Sequence, residues 1–411
     1  MFAHLERPAA PPPNWRQVLA DFGPRYAANG FIGFVFAASA PVAIVLAVGT
    51  RGGLSEAELA SWIFGVFFVN GLITMLFCWL YRQPLAFFWT IPGTVLVGPA
   101  LTHLSFPEVV GAFYATGLLM LVLGATGWVR RAMQAVPMPI VMGMVAGVFL
   151  RFGTDLVRSL HEDLAIAGPM VAGWLLLTAV PALGRRLPPL IGALLIGALA
   201  TAVFGRFDTA TLGAIELARP VLQTPVWSWA AMVELVVPLA ITVLVVQNGQ
   251  GVAVLKTAGH APPVDAVTVA CGVGAIASAA VGSVSTCLTG PTNAILTSSG
   301  ERPRHYTAGI FTGALAVAFG LMSPAFTRLM LNAPPAFVMA LAGLAMLRVL
   351  QAAFAASFSG RFTLGALIAF LVTVADLGMF NIGAAFWGLV AGFAVSWMLE
   401  RRDFEDTSRA P

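Results

Sequence analysis

The chain has 411 residues, of which 59% are hydrophobic and only 10% are charged, and its mean hydropathy is +0.88. These values exclude an ordinary soluble domain and indicate a polytopic membrane protein. The net charge of +4 does not indicate nucleic-acid binding, because the basic residues are scattered between apolar runs and form no stripe. The three cysteines show no spacing typical of a disulfide framework or metal site, so we expect neither, and no other cofactor.

Residues 1–27 contain Pro11, Pro12 and Pro13 and several charges, but no apolar stretch followed by a cleavage site, so we predict a cytoplasmic arm. A crossing needs about 20 apolar residues. Twelve continuous runs meet this need, at 28–49, 57–80, 107–128, 132–154, 164–183, 188–204, 227–251, 264–281, 303–325, 331–349, 363–377 and 380–398. Two further runs, 84–104 and 282–300, are apolar but interrupted by proline and glycine. We therefore predict an all-α fold of fourteen transmembrane segments.

The two halves of the chain share a weak repeat at an offset of 197 residues. The pairs are Pro41 with Pro238, Gly93 with Gly290, Arg131 with Arg328, Pro137 with Pro334, Val141-Met142 with Val338-Met339, and Leu150-Arg151 with Leu347-Arg348. Seven segments per half is an odd number, so the second half must enter the membrane upside down. The sequence thus predicts two inverted seven-segment repeats, the plan of many secondary transporters.

The distribution of basic residues predicts the orientation. With a cytoplasmic amino terminus, 16 of the 22 Lys and Arg residues fall on the inner side and six on the outer side. This agrees with the positive-inside rule and places both termini in the cytoplasm.

The two interrupted segments are the predicted substrate site. Non-helical backbone at membrane depth survives only where protein or a watery cavity satisfies it. Residues 87–90 and 284–288 favour an extended strand, and Pro92 and Pro291 suit the first turn of a short helix. Two facing helix amino termini would attract an anion. The alternative is that proline and glycine only kink ordinary spans, but both breaks occupy corresponding positions in the halves.

A third element ends in the amide-rich stretch Gln247-Asn248-Gly249-Gln250. Amides are costly in lipid and should face the protein interior. The other interpretation is that the cluster only marks the helix end before Lys256.

The stretch Gln247-Asn248 followed by 251–255, together with the broken segment 282–300, resembles the BenE-type benzoate/proton symporter family, which is related to nucleobase/proton symporters and sulfate transporters. The resemblance covers most of the chain. It implies a bacterial inner-membrane protein with a substrate-carrying core domain (28–129 and 227–326), a gate domain (130–226 and 327–400) and a cytoplasmic tail (401–411). It also implies that segments 3 and 10 each consist of a short strand and a half-helix, and that the protein is a possible homodimer.

Carried over from the resemblance, the site for a small aromatic carboxylate consists of Trp89, Thr90, Gly93, Thr94, Gln247, Thr289, Gly290 and Thr292. The nucleobase relatives place carboxylates on segments 8 and 10, whereas this chain has Gln247 and no acid in 281–300. Glu234, within the eighth segment, is the candidate for proton coupling, although it lies close enough to Trp227 to reach the outer interface instead.

Two functional readings follow from the sequence. The first is a proton-coupled symporter, in which the proton binds either to the protein or to the substrate carboxylate. The second is a passive anion channel or uniporter. We expect no enzyme, because no nucleophile–base pair, phosphate loop or metal cluster stands out.

Overall fold

The computed structural model describes residues 5–38, 40–129, 137–184, 187–206 and 216–408. Arg131 of the repeat and the basic residues Arg130, Arg185, Arg186 and Arg409 lie outside these ranges. The first half contains α1 (Trp15–Asp21), α2 (Pro24–Ala38), α3 (Ala40–Arg51), α4 (Glu56–Tyr81), β1 (Phe87–Trp89), α5 (Ile91–Ala100), α6 (Phe106–Thr126), α7 (Met138–Glu162), α8 (Leu164–Ala179), α9 (Pro181–Gly184) and α10 (Pro189–Val203). The second half contains α11 (Trp229–Thr257), α12 (Val264–Ala279), β2 (Thr286–Leu288), α13 (Gly290–Leu296), α14 (His305–Leu321), α15 (Ser323–Leu331), α16 (Pro335–Phe358), α17 (Thr363–Ala375), α18 (Ala384–Leu399) and α19 (Arg401–Ser408).

Long apolar helices dominate the described part of the chain. Six of them are long and apolar enough to cross a membrane: α2 continued by α3, α4, α6, α7, α11 and α16. The bent pair formed by α14 and α15 would make a seventh. Five further helices of at least 13 residues are apolar but shorter, namely α8, α10, α12, α17 and α18. The fold is therefore a mostly helical polytopic membrane fold, and the count of fourteen crossings stays a prediction.

The predicted span 303–325 is not one straight helix. α14 ends at Leu321, α15 begins at Ser323, and the two axes differ by 69°. Pro324 lies in the first turn of α15. Because proline has no backbone N–H and clashes with the preceding turn, it ends the hydrogen-bond ladder of α14.

The helices pack into two bodies that share a boundary. In one body, α12 packs on α6, and α14 packs on α2 and α4. In the other, α7 packs on α16 and α17, α17 on α18, and α8 on α10. α3 contacts α16, and α5 contacts α7, so these two helices lie at the boundary. The predicted bounds of core and gate stay a prediction.

Two of the long helices contain wider, π-helical stretches. α4 contains a π-helical stretch at Gly65–Val69, and α11 contains two, at Met232–Val236 and Thr242–Asn248. A π-helical turn redirects the side chains that follow it, and such turns are frequent at functional sites. In this chain they precede Asn70 in α4 and include Gln247 and Asn248 in α11.

The loop between α11 and α12 places a histidine against a second one. Nε2 of His260 lies 3.1 Å from Nδ1 of His305, which is buried at the start of α14. Burial lowers the pKa of His260 to about 4, and the positive charges of His305 and Arg302 act in the same direction. Protonation of His260 in this loop is therefore expected to oppose folding.

The stability of the protein should fall in acid because of His260. Its pKa is lower in the folded state than in the unfolded chain, where histidine titrates near 6.5. Unfolding therefore takes up a proton, and stability decreases as the pH falls from about 6.5 towards 4. We expect the loss of melting temperature between pH 7 and pH 5 to be smaller in His260→Gln. His161→Gln, at an exposed helix end, is the matched control and should behave like the wild type.

Candidate functional site

The two interrupted segments meet through their strands. β1 and β2 pair antiparallel, with Phe87 opposite Leu288 and Trp89 opposite Thr286, and all their residues are buried. The N–H of Thr90 extends the ladder to the carbonyl of Ser285 at 3.1 Å. Each strand thereby satisfies the non-helical backbone of the other, as apolar surroundings require. Because the strands run in opposite directions, α5 and α13 begin at opposite ends of this crossing.

Side chains from α4 and α11 satisfy the outer edges of the two strands. Oγ1 of Thr74 accepts the N–H of Phe87 at 2.8 Å. On the other side, Oδ1 of Asn248 accepts the N–H of Leu288 at 2.8 Å. A buried backbone N–H without a partner costs about 1–3 kcal/mol. Asn248, one of the amides singled out from the sequence, is therefore a structural support of β2.

Asn293 joins the two segments directly. It is fully buried; its Oδ1 accepts the N–H of Ala86 at 2.9 Å, and its Nδ2 donates to the carbonyl of Thr289 at 2.7 Å. Sequence reasoning missed this role. The available signal was an amide in the first turn of the second broken segment.

Three of the predicted site residues in the first half are engaged at the start of α5. Oγ1 of Thr90 accepts the N–H of Gly93 at 3.1 Å and donates to Oγ1 of Thr242 at 3.0 Å. Oγ1 of Thr94 donates to the carbonyl of Thr90 at 3.0 Å. The side chain of Thr90 therefore caps the amino terminus of α5. The sequence analysis had expected the N–H groups at this end to be free.

The space around Gly93 is closed on the side of α11. A Cβ at this position would overlap Cγ2 of Thr90 and lie 2.9 Å from Cδ2 of Leu239. Trp89 lies next to this turn in an aromatic cluster, with its ring centroid 5.2 Å from that of Phe67. Its indole Nε1–H is buried and has no hydrogen-bond partner among the described residues.

The second half presents a less complete cap. Thr289 precedes α13 but makes no side-chain capping bond, and its Oγ1 is buried without a partner in the described part of the chain. Oγ of Ser285, on the same segment, is also buried without a hydrogen-bond partner among the described residues. Thr292 packs its methyl group against α2, where a Cβ at Gly33 would lie 3.3 Å from it. The two half-helices are thus chemically unequal.

The amide side chains of Gln247 and Gln250 in α11 have different surroundings. Gln247 is buried and no hydrogen bond holds its side chain within the described residues. The exposed Gln250 lies over Gly290, where a Cβ would be 2.5 Å from its Cγ and 2.7 Å from its Oε1. Sequence reasoning chose Gln247 and left out Gln250, although the two share a helix face. The structure brings Gln250 into contact with Gly290.

Glu234 lies in the first π-helical stretch of α11, whereas Gln247 lies in the second. Its carboxylate is buried and pairs with His103, with Oε2 at 2.8 Å from Nε2. It therefore does not reach the outer interface as a free side chain.

Comparisons with known proteins agree with this architecture. The chain resembles two solved structures in fold at 15% sequence identity each. The transmembrane domain of a cyanobacterium bicarbonate transporter, BicA, matches with a TM-score of 0.62, over 90% of this chain and 98% of that one. SLC26A9 matches with a TM-score of 0.65, over 92% of this chain and 66% of that one.

Sequence comparison is more specific. An inner membrane protein of Escherichia coli K12, YdcO, is 30% identical over 370 residues, covering 88% of this chain and 93% of the relative. A benzoate membrane transport protein of Acinetobacter baylyi is 26% identical over 378 residues, covering 90% and 94%. The sequence profile of the BenE family, described as benzoate membrane transport protein, matches residues 20–398. The chain therefore belongs to the BenE family of benzoate membrane transport proteins.

Proposed function

We propose that this membrane transporter imports a small aromatic carboxylate such as benzoate, driven by protons. The family and the similarity to the Acinetobacter baylyi protein support this substrate class. A carboxylate on an aromatic ring also suits a site that combines hydrogen-bond donors with aromatic side chains.

The observation that carries the proposal is that both paired segments carry buried donors without partners. The indole N–H of Trp89 and the hydroxyls of Ser285 and Thr289 are buried, and none has a partner among the described residues. A buried polar group without a partner costs about 1–3 kcal/mol. An acceptor oxygen of a bound ligand would recover part of that energy for the donor that it reaches, and this supports a binding site at the two segments.

Each predicted residue has a role in this proposal. Trp89 supplies a donor and an aromatic wall, and Thr289 a hydroxyl donor. Gly93 and Gly290 allow close approach of backbone, whereas Thr90 and Thr94 hold the first turn of α5 in place. Gln247 and Thr292 complete the surrounding polar surface.

Transport would follow from movement of the core against the gate. The proposed core comprises 28–129 and 227–326, and the proposed gate 130–226 and 327–400, arranged as two inverted repeats of seven segments. Rocking of these bodies around a central site gives alternating access. The packing of α7, α8, α10, α16, α17 and α18 with one another supports a gate that moves as a unit. We further propose an inner-membrane orientation with both termini in the cytoplasm, and a homodimer.

The proton needs a carrier that the strand crossing does not provide. Residues 281–300 contain no acid, and Gln247 stands where the nucleobase relatives have a carboxylate. Glu234 is the proposed proton-coupling group because it is a buried carboxylate within a long apolar helix. The other route is entry of the substrate in its protonated form.

A second candidate function is a passive uniporter or channel for small organic anions. The absence of any acid from 281–300 favours it, since donors alone attract anions without coupling them to protons.

Uptake into proteoliposomes separates these functions. With an inward proton gradient, we expect labelled benzoate to accumulate above its equilibrium level, and an uncoupler should remove that accumulation. Saturable uptake that only equilibrates would support the uniporter. If vesicles that contain folded protein take up no benzoate in a saturable manner, the substrate assignment is wrong.

A further inference from the structure

Arg51 and Asp155 form an ion pair between the proposed core and the proposed gate. Arg51 is the last residue of α3, which continues α2, and Asp155 lies within α7. Nη2 of Arg51 donates to Oδ2 of Asp155. The predicted orientation places this end of both helices outside. The pair therefore crosses the boundary between the two bodies at its outer end.

Asp155 is buried, whereas Arg51 reaches the surface. The predicted segment 132–154 ends one residue before Asp155, but α7 continues to Glu162, and Asp155 is 4% exposed. Burial of a carboxylate without a cationic partner is costly, so Asp155 needs such a partner. The side chain of Arg51 supplies it and is itself 40% exposed.

A second arginine, on the same helix, also pairs with Asp155. Nη1 of Arg158 lies 3.4 Å from Oδ1, the oxygen that Arg51 does not use. Residues three positions apart are neighbours on a helix surface, so Arg158 stays beside Asp155 wherever α3 lies. The carboxylate therefore has one partner in each body.

Close packing fixes the backbone of Arg51 to the proposed core. A Cβ at Gly49 would overlap Cδ2 of Leu59 in α4, and a Cβ at Gly52 would lie 2.8 Å from Cβ of Leu101, just after α5. The backbone on both sides of Arg51 thus lies directly against these two elements. The end of α3 has no room to follow the gate by itself.

The backbone of Asp155 is fixed to the proposed gate in the same manner. A Cβ at Gly343 of α16 would lie 2.6 Å from Cβ of Leu156 and 2.8 Å from the carbonyl oxygen of Phe152. The backbones of α7 and α16 are therefore in near contact on both sides of Asp155. A movement of one body relative to the other has to be taken up by the ion pair itself.

Other ion pairs at this end join elements that pack on each other. Asp163, before α8, pairs with Arg206, after α10, at 2.8 Å, and α8 packs on α10. Arg328 of α15 pairs with Glu56 of α4 at 2.9 Å, and α15 packs on α4. These pairs can persist while the two bodies move, which the pair across the boundary cannot do.

We propose that Arg51, Asp155 and Arg158 are positioning residues of the transport cycle. Both arginines pair with Asp155 while the outer ends of core and gate are together, and Arg158 alone pairs with it when these ends separate. The proposal rests on the alternating-access function and deepens it, since the pair with Arg51 sets how often the empty carrier opens to the outside. Arg158 lowers the cost of opening, because it leaves Asp155 with a cationic partner.

Loss of each arginine should affect opening differently. Without Arg51, the closed arrangement loses the contact between the bodies, so the open population should rise. Without Arg158, Arg51 still pairs with the buried carboxylate in the closed arrangement, so the open population should not rise. Without both, the closed arrangement buries an unpaired charge, whereas water solvates Asp155 in the open one. The open population should then exceed that of either single variant.

The test measures opening without any substrate, so its outcome is independent of the benzoate assignment. Nitroxide labels are attached through Val157→Cys in α7 and Trp229→Cys in α11, at positions that are 67% and 81% exposed. Val157 is two residues from Asp155 and therefore points away from it. The three native cysteines are replaced by alanine in the full-length protein, which is held in lipid nanodiscs. Pulsed electron–electron double resonance then gives the distance distribution between the labels.

Arg51→Gln should raise the ratio of long to short distances about tenfold over the labelled parent, which corresponds to about 1.4 kcal/mol. Arg51→Lys keeps the charge, so it should stay close to the parent. Arg158→Gln should give no more of the long distance than the parent, and the double variant should give more than Arg51→Gln. Arg206→Gln is the matched control, because it removes an ion pair within the proposed gate, and it should behave like the parent.

The proposal is wrong if Arg51→Gln keeps the distribution of the parent, if Arg158→Gln alone opens the outer side as Arg51→Gln does, or if Arg206→Gln shifts the distribution equally. Should Arg51→Gln fail to fold, Asp155→Asn tests the same contact, since asparagine has nearly the same shape and lacks the charge; it should also favour the long distance. Benzoate uptake by the same variants is measured separately in proteoliposomes. Absence of uptake together with the expected distances would overturn the substrate proposal and leave the ion pairs standing.

Discussion

Replacement of Gly290 by leucine is expected to abolish transport while the protein still folds. A Cβ at this position would lie 2.5 Å from Cγ of Gln250, and the larger side chain would fill the space beside Thr289 and the start of α13. Overpacking of this kind costs about 1–3 kcal/mol. Because the proposed substrate must approach the same turn, an equal cost on binding corresponds to about a 5- to 150-fold loss of substrate affinity. Benzoate binding to purified protein, measured by calorimetry, and uptake into proteoliposomes give the two readouts.

Two variants act as controls for this prediction. Gly290→Ala should keep part of the activity, because the nearest atoms belong to the flexible end of Gln250, which is exposed and can swing aside. Gly98→Ala, in the other half-helix, should be close to normal, since its Cβ would lie 3.7 Å from Val48. Normal affinity in Gly290→Leu would show that the substrate does not approach the start of α13.

Asn293→Ala is expected to cause the largest loss of stability among the site variants. It removes the acceptor for the N–H of Ala86 and the donor for the carbonyl of Thr289, both in a buried environment. Each group left without a partner costs about 1–3 kcal/mol. The midpoint of thermal inactivation in detergent should therefore fall clearly, and transport should fall with it, because Asn293 holds the two broken segments in register.

Asn332 provides the control for the Asn293 variant. Nδ2 of Asn332 donates to the carbonyl of Arg328 at the end of α15, and its side chain is only partly buried, so water can replace the bond. Asn332→Ala should therefore change the inactivation temperature little. Asn293→Asp should remain destabilised, since it keeps the acceptor but loses the donor and adds a buried charge. Equal inactivation of Asn293→Ala and the wild type would contradict the supporting role of Asn293.

The sequence predicted the positions of the helices well for a simple reason. Transfer of apolar residues out of water dominates the energy of a membrane segment, and this property is local in sequence. The same locality explains why the break at Met322 was missed. Its apolar neighbours look like a continuous span, and only Pro324 marked the change of direction.

The candidate site was predicted in part. Proline and glycine within 84–104 and 282–300 marked two breaks, and the structure has a short strand and a short helix at each. The roles of single polar residues were not accessible in this way. Thr90, which the sequence places at the substrate site, caps α5, and Asn248 supports β2 through Leu288. A threonine or asparagine has the same hydrogen-bonding groups in either role.

The sequence alone indicates a membrane protein, the positions of its apolar segments, and which two of these segments are broken. These properties depend on composition and on the conformational limits of proline and glycine, which each residue carries with it. The tertiary structure was needed to show that β1 pairs with β2, that Gln250 covers Gly290, and that Glu234 lies beside His103 and Gly383. Those contacts join residues up to about 200 positions apart. They are set by the packing of whole helices, since no local pattern specifies which distant partner a buried polar group will meet.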